Sequence, residues 1–272
     1  MTIDLSSSTD PEISLAATIL CQIKQLMVSY GIVFLVVGAT ARNIVSIGVF
    51  GSAPGRATRD IDIAVAVATW DEVRRLRSEM SPIDQSCHRF DVCGVPVDII
   101  PCGPIENNDR TVDWPEDFRM NTLGFREAFA ADEIALLPGQ LSVRVPSIAA
   151  QTLLKLVAWH DRHWRSTKDA IDLATMLDWY SSGHQLNILY TEHIELLATY
   201  DYDATLASAH RLGQDIALLL ETADSRRVQP LLDDPVALQR LANDMTGPFD
   251  QAHQRMSALY AGIRTERAVG RG

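Results

Sequence analysis

The stretches that decide the fold are IVFLVVG at residues 32–38 and DIDIAVA at residues 60–66. The first is continuously apolar and rich in β-branched residues, which is typical of a strand buried on both faces. The second alternates polar and apolar residues and then becomes apolar, which predicts another strand. Asp60 and Asp62 are two residues apart, and we expect their side chains to lie on one face of this strand.

A third acid, Asp98, stands among apolar residues in VDII at residues 97–100. Residues two apart on a strand are about 6.5–6.8 Å apart, and neighbouring strands are about 4.8 Å apart. Three carboxylates on one face could therefore surround two divalent ions, and oxygen ligands favour Mg²⁺ or Mn²⁺. The alternative is structural: Asp60 caps a loop, Asp62 lies on a solvated face and Asp98 pairs with an arginine such as Arg89.

The first strand ends at Gly38-Ala39-Thr40, which leads into a predicted helix at residues 40–47. A turn of this kind presents backbone N–H groups and a hydroxyl group to a phosphate. Gly51-Ser52 lies closer to Asp60, but no buried strand leads into it. We therefore expect the phosphate turn at Gly38.

The remaining pattern predicts an α/β domain at residues 1–146 and a helical domain at residues 147–272. Asp10-Pro11-Glu12 begins a helix that ends near Gly31, and Thr69 with Glu72 forms a capping box. A hairpin is predicted around Gly94. Further predicted strands lie at residues 124–130, 133–137 and 141–145.

The composition is that of a globular protein, with 47% hydrophobic residues and a formal net charge of −11 over 272 residues. An acidic chain is a poor non-specific binder of nucleic acids, and we expect no DNA partner. The uninterrupted apolar runs are short and the N-terminus lacks a secretion signal, which predicts a cytoplasmic protein without a membrane span. The four cysteines show no CxxC spacing and are expected to be reduced.

Three patterns, VVGATAR at residues 36–42, ATRDIDIAV at 57–65 and VDIIP at 97–101, resemble the polymerase-β-type nucleotidyltransferase superfamily. More narrowly, they resemble its AbiEii/AbiGii (MenT-like) toxin branch. LLKLVAW at 153–159 and TKDAIDL at 167–173 are similar to that family's downstream lysine and its Lys/Arg-Asp-x-x-Asp-Leu motif. The resemblance implies an α/β (α+β) fold with a polymerase-β-like mixed sheet, a C-terminal helical domain and a site in the cleft between them.

The resemblance also implies the reaction, in which a nucleoside monophosphate moves from an NTP to an acceptor hydroxyl and pyrophosphate is released. Asp60, Asp62 and Asp98 would be the catalytic metal ligands. The nucleotide and its phosphates would be bound by Gly38, Ala39, Thr40, Arg42, Lys155, Lys168 and Asp169. Ala39 departs from the family's usual Gly or Ser, so any hydroxyl contact to phosphate must come from Thr40.

The acceptor stays open at this point. Toxin-like relatives modify RNA, notably tRNA 3′ ends, and an antitoxin partner would be expected. A rival enzyme is an aminoglycoside-type adenylyltransferase, which the acidic net charge suits, and the rival of another class is a non-catalytic nucleotide-binding or interaction protein. A basic rim would favour RNA; its candidates are Arg42, Arg56, Arg59, Arg162 and Arg165.

Two features of the helical part have structural alternatives. Lys155 lies in an apolar helix, where its ammonium must either extend to solvent or reach an anion such as a triphosphate. Asp169 and Asp172 share one helix face and would otherwise pair with Arg162, Arg165 or Lys168. A zinc site at His160 and His163 lacks an evident third ligand.

Overall fold

The computed structural model describes residues 2–53, 58–84, 86–115 and 118–269, with side chains as far as Arg264. The chain divides into two compact units, Met1–Ser147 and Ile148–Gly272. The first unit contains strands and helices, and the described part of the second is helical. The chain therefore has the mixed α/β composition that its sequence predicts.

The strands all lie in the first unit, and their bounds follow the chain. They are β1 Thr2–Asp4, β2 Val33–Val37, β3 Ile61–Ala66, β4 Ser81–Pro82, β5 Arg89–Val92, β6 Val95–Cys102, β7 Thr111–Trp114, β8 Phe118–Asn121, β9 Asp132–Leu137 and β10 Leu141–Pro146. The largest sheet has the order β2-β3-β6-β5-β4. Strands β3 and β6 are parallel, whereas the other neighbours are antiparallel. The sheet is therefore mixed, as predicted.

Four helices accompany these strands in the described part of the first unit, and eight form the described part of the second. They are α1 Pro11–Tyr30, α2 Gly38–Phe50, α3 Trp70–Ser78, α4 Phe125–Ala130, α5 Ile148–Arg162, α6 Lys168–Tyr180, α7 Gly183–Glu192, α8 Ile194–Thr199, α9 Ala204–Leu219, α10 Thr222–Asp233, α11 Pro235–Asp244 and α12 Phe249–Val269. A short 3₁₀ turn, Pro138–Gln140, joins β9 to β10.

Helix α1 begins and ends where its sequence signals predict. The Asp10 carboxylate accepts hydrogen bonds from the backbone N–H groups of Glu12 and Ile13 at 2.9 and 3.1 Å. Among the described residues, α1 is the helix long and apolar enough to cross a membrane by length and composition. Core helices can have the same length and apolar composition. The face of α1 that carries Leu20 and Ile23 is buried in the protein.

The predicted hairpin around Gly94 is confirmed and joins β5 to β6. Cys93 and Gly94 both have positive φ, 53° and 81°. Two-residue turns with this conformation match the twist of antiparallel strands. The turn fixes the register, so that Arg89 on β5 lies opposite Asp98 on β6.

The predicted strand at residues 124–130 is wrong, because Phe125–Ala130 is the helix α4. Its residues include good helix formers, and the buried carboxylate of Glu127 faces the buried guanidinium of Arg110 at 3.5 Å. The hairpin β7–β8 and the strand β1 were not predicted. Strands β1, β7 and β8 have four residues or fewer, and segments of this length are too short to show a clear alternation of polar and apolar residues.

Candidate active site

Asp62 and Asp98 are direct neighbours across the two central strands. Asp62 lies on β3, Asp98 lies on β6, and the two are Cα partners in the parallel register. Neighbouring residues in parallel register direct their side chains to the same face of the sheet. The structure therefore places these two acids side by side on one face.

Asp60 comes just before β3 and joins the same group of carboxylates. Its Oδ2 atom and the Oδ2 atom of Asp98 both accept hydrogen bonds from Nη2 of Arg89, at 2.8 and 2.9 Å. The two carboxylates are thus close enough to share one guanidinium nitrogen. Asp60 and Asp62 lie at the start of β3, and Asp98 lies beside Asp62 on β6.

Gly38 places the turn between β2 and α2 directly against this group. It has a φ of +65°, and a Cβ atom at this position would overlap with the carboxylate of Asp62. Only glycine combines this backbone conformation with such a close approach. The N-cap residue of α2, Val37, provides no side-chain hydrogen bond to the first turn of the helix. Gly38 and Ala39 are half-buried at this point.

Thr40 lies one residue further into the helix and is buried. Its hydroxyl oxygen has no hydrogen-bond partner among the described residues. Thr40, Asn43 and Asp60 line a small pocket of roughly 100 Å³. An unpaired buried hydroxyl costs free energy unless a ligand or water satisfies it, which makes Thr40 a suitable group for a bound oxygen atom.

Arg42 points into the protein. Its side chain is 4% exposed and donates hydrogen bonds to Oδ1 of Asn43, the shorter of which is 2.8 Å. Asn43 in turn donates to Oε2 of Glu12 on α1 at 2.7 Å. Arg42 therefore belongs to a buried polar network, and its phosphate-binding role stays a prediction.

Arg89 was one possible partner of Asp98 in the sequence analysis, and in the structure Arg89 does pair with Asp98. Its Nε donates to Oδ1 of Asp98 at 2.8 Å, while Nη2 donates to the other oxygen. The hydrogen bond to Asp98, together with the negative charges of Asp98, Asp60 and Asp62, raises the pKa of the Arg89 guanidinium against the opposing effect of burial. The guanidinium is therefore a fixed positive charge beside the carboxylates.

The second unit holds an ion-pair cluster of its own. Nζ of Lys155 on α5 lies 2.9 Å from Oδ1 of Asp169 and 2.6 Å from Oδ2 of Asp172, both on α6. Both carboxylates are almost fully buried. Lys155 thus reaches anions supplied by the protein itself, a pairing that the sequence reasoning did not include.

Arg162 also binds Asp169, with its Nε 2.8 Å from Oδ2, as one of the sequence alternatives proposed. Burial would raise the pKa of Asp169, but the hydrogen bond from Arg162 and the charges of Lys155 and Arg162 outweigh it and hold the pKa below its usual value. Lys168, at the start of α6, is exposed. Its phosphate-binding role is compatible with this exposure and stays a prediction.

The oxygen-rich donor set of Asp60, Asp62 and Asp98 fits Mg²⁺ or Mn²⁺ chemically. In the described part of the chain, however, no three side chains of the usual ligand types are arranged so that they could hold a metal ion. The guanidinium of Arg89 lies against two of the three carboxylates, those of Asp60 and Asp98. His160 and His163 have no third ligand for zinc among the described residues, and Nδ1 of His163 lies 3.2 Å from the carbonyl oxygen of Trp159.

Comparison with known proteins identifies the family. The model of the nucleotidyl transferase AbiEii toxin family, of the type IV toxin–antitoxin systems, matches residues 28–258. This match covers most of the chain, and the chain therefore belongs to the AbiEii family. It is a nucleotidyltransferase, as the patterns around Gly38, Asp60 and Asp98 predicted.

Two solved structures are similar at low sequence identity. The first is an antigenic nucleotidyltransferase-like protein from Paracoccidioides brasiliensis, with a TM-score of 0.41, 14% identity, and coverage of 75% of this chain and 94% of that chain. The second is the antibiotic-resistance factor ANT(2'')-Ia, with a TM-score of 0.37, 12% identity, and coverage of 70% and 96%. A comparison with curated proteins found no significant match.

Proposed function

We propose that this nucleotidyltransferase depends on a divalent metal ion and transfers a nucleoside monophosphate from an NTP to a hydroxyl group of RNA. Membership of the AbiEii family supports the reaction class. The observation that supports this assignment of the site is the register of β3 and β6. In this register Asp62 and Asp98 lie side by side, and Asp62 lies against the turn at Gly38. Intact carboxylates at this position argue against a non-catalytic binding protein.

Asp60, Asp62 and Asp98 would hold Mg²⁺ or Mn²⁺, which, when bound, stabilises negative charge on the reacting phosphate oxygens. Asp98 would also help to deprotonate the acceptor hydroxyl. The backbone at Gly38 and Ala39 would orient the β- and γ-phosphates, together with the buried hydroxyl of Thr40, which has no partner among the described residues. Each of these groups belongs to the first unit, and they lie around the start of β3.

Lys155 and Lys168 would bind the triphosphate. Lys168 is exposed, and Lys155 is held in place by two buried carboxylates. A lysine whose position is fixed before the ligand arrives loses little conformational entropy on binding. Asp169 would then act on the nucleotide through Lys155, which it orients.

RNA is the favoured acceptor because the family is one of toxins and because Arg59, next to Asp60, is exposed. Arg162 and Arg165 are exposed as well, whereas Arg42 is buried and Arg56 lies outside the described residues. An antitoxin protein is the expected partner. We place the activity in the cytoplasm, where NTPs and RNA are present together.

The acceptor can be identified by incubating the chain with each α-labelled NTP, Mg²⁺ and one of two acceptors, mixed tRNA or a cationic aminoglycoside. We expect label on tRNA, lost in Asp98→Asn and retained in Asp91→Asn. Asp91 is an exposed acid on β5 that serves as a matched control. Label on the aminoglycoside alone would show a small-molecule acceptor, and no label on either acceptor with Mg²⁺ or Mn²⁺ would contradict the proposal.

A further inference from the structure

We propose that Arg89 is a built-in counter-ion that competes with the divalent cation for Asp60 and Asp98. This inference rests on the proposed metal-dependent function. In the nucleotide-free protein the guanidinium occupies oxygens that the metal ion would need. Arg89 thereby keeps the metal affinity of the free chain low.

The geometry gives Arg89 two anchors. Nε and Nη2 bind the two oxygens of Asp98 at 2.8 and 2.9 Å, and Nη2 also binds Oδ2 of Asp60 at 2.8 Å. The paired contact with Asp98 is the fork-to-fork arrangement that makes arginine–carboxylate pairs strong. Three of the four oxygens of Asp60 and Asp98 are therefore already engaged by one cation.

The charge balance explains why a cation is present at this place. Three carboxylates close together repel one another unless a positive charge lies among them. Arginine remains protonated at all physiological pH values, so Arg89 cannot release the acids by losing a proton. Only a movement of its side chain can free the oxygens.

Arg89 is free to make such a movement because it lies at the edge of solvent. Its side chain is 38% exposed, and that of Asp60 is 39% exposed, whereas Asp98 is only 17% exposed. Ion pairs that are partly exposed are weak compared with buried ones. A divalent cation, which attracts the same carboxylates with twice the charge, can displace the guanidinium at a moderate cost.

A purely structural ion pair predicts a different result. If Arg89 only stabilised the sheet, its removal would lower the melting temperature and leave metal affinity unchanged or weaker. If it competes with the metal, its removal lowers the melting temperature without metal but tightens metal binding. Metal affinity in the absence of nucleotide therefore separates the two roles.

The experiment is a titration of the nucleotide-free chain with Mn²⁺, followed by the electron paramagnetic resonance signal of the free ion. We expect Arg89→Gln to bind Mn²⁺ about tenfold more tightly than the natural chain. Arg75→Gln removes the same charge from the exposed face of α3 and should leave the affinity unchanged. Thermal melting with and without Mn²⁺ gives an independent reading, with the larger metal-induced rise in Arg89→Gln.

Arg89→Lys provides a second test if Arg89→Gln does not fold. Lysine keeps the charge but cannot span both carboxylates, and a smaller gain in Mn²⁺ affinity is expected. Equal affinities in the natural chain and both Arg89 variants would overturn the role of Arg89 while leaving the metal site in place. If no variant binds Mn²⁺ at all, both this inference and the proposed metal dependence are wrong.

Discussion

Asp62 lies so close to Gly38 that a single methyl group at residue 38 would overlap with its carboxylate. Residue 38 must therefore have a positive φ, which strains other residues, and it must have no side chain. The contact fixes where the phosphate turn lies relative to the acids. The site depends on this close approach as much as on the acids themselves.

Gly38→Ala should abolish most of the activity and lower the free energy of unfolding by about 1–3 kcal/mol, because the methyl group displaces Asp62 and strains the backbone. Gly51→Ala is the matched control. Gly51 has a similar φ of +60°, but no atom of the described residues lies within 4 Å of its Cβ position. Gly51→Ala should lose stability from backbone strain alone and keep its activity. Urea unfolding and nucleotide transfer measure the two effects, and equal activity in both variants would contradict the role of Gly38.

The three acids could be predicted from the sequence because strand periodicity determines which face a residue occupies. The register of Asp98 with Arg89 also follows from a two-residue turn at Gly94. What the sequence did not provide was the conformation of the Arg89 side chain, which contacts Asp60 as well. Side-chain conformations depend on groups brought together from distant parts of the chain, here 29 residues apart.

At the scale of elements, helices α5 and α6 are joined by Lys155, which binds a buried carboxylate pair on α6. Breaking a buried ion pair by removing one partner leaves an uncompensated charge, which costs far more than the loss of a surface contact. The sequence indicated that the ammonium group of a lone lysine in an apolar helix needs either solvent or an anionic partner. The sequence could not show that the anionic partners lie on the next helix, because the angle at which two helices pack is not a local property.

Lys155→Ala should therefore lower the free energy of unfolding by about 3–5 kcal/mol, since Asp169 and Asp172 lose a buried partner. Lys168→Ala removes the same type of charge from an exposed position and should change stability by less than about 0.5 kcal/mol. Chemical denaturation of both variants tests this difference. A change of under about 1 kcal/mol in Lys155→Ala would mean that the ion pairs contribute little to stability.

Nucleotide binding by the same two variants tests the phosphate role of these lysines. If both contact the triphosphate, each variant should bind NTP with Mg²⁺ about tenfold to a hundredfold more weakly. Titration must be done at a temperature at which Lys155→Ala is folded. Unchanged affinity in both variants would show that neither lysine binds the nucleotide.

Long elements with clear start and stop signals, such as α1 and β2, could be read from the sequence. The errors fell on short elements. Phe125–Ala130 forms a helix in place of the predicted strand, and the three-residue β1 pairs with β9, which lies more than a hundred residues further along the chain. Such short segments take their structure from their partners, and local propensity decides little there.

At the scale of the whole molecule, an acidic chain with a net charge of −11 acts on a nucleotide, which is itself an anion. The overall charge therefore does not identify the substrate. What matters is the local balance of charge at the site. There Arg89 contacts Asp60, and the exposed Arg59 is the residue before Asp60. A bound divalent cation would offset most of the negative charge that the three acids create.

The most direct test of the central claim is nucleotide transfer by Asp62→Asn, measured as pyrophosphate released from NTP in the presence of Mg²⁺ and tRNA. Asparagine keeps the shape of the side chain but loses its charge, so a metal ligand is lost while the fold is kept. We expect transfer to fall to background in Asp62→Asn, with a melting temperature without metal close to that of the natural chain, and full transfer in Asp91→Asn. Full Mg²⁺-dependent transfer by Asp62→Asn would contradict the assignment of the active site.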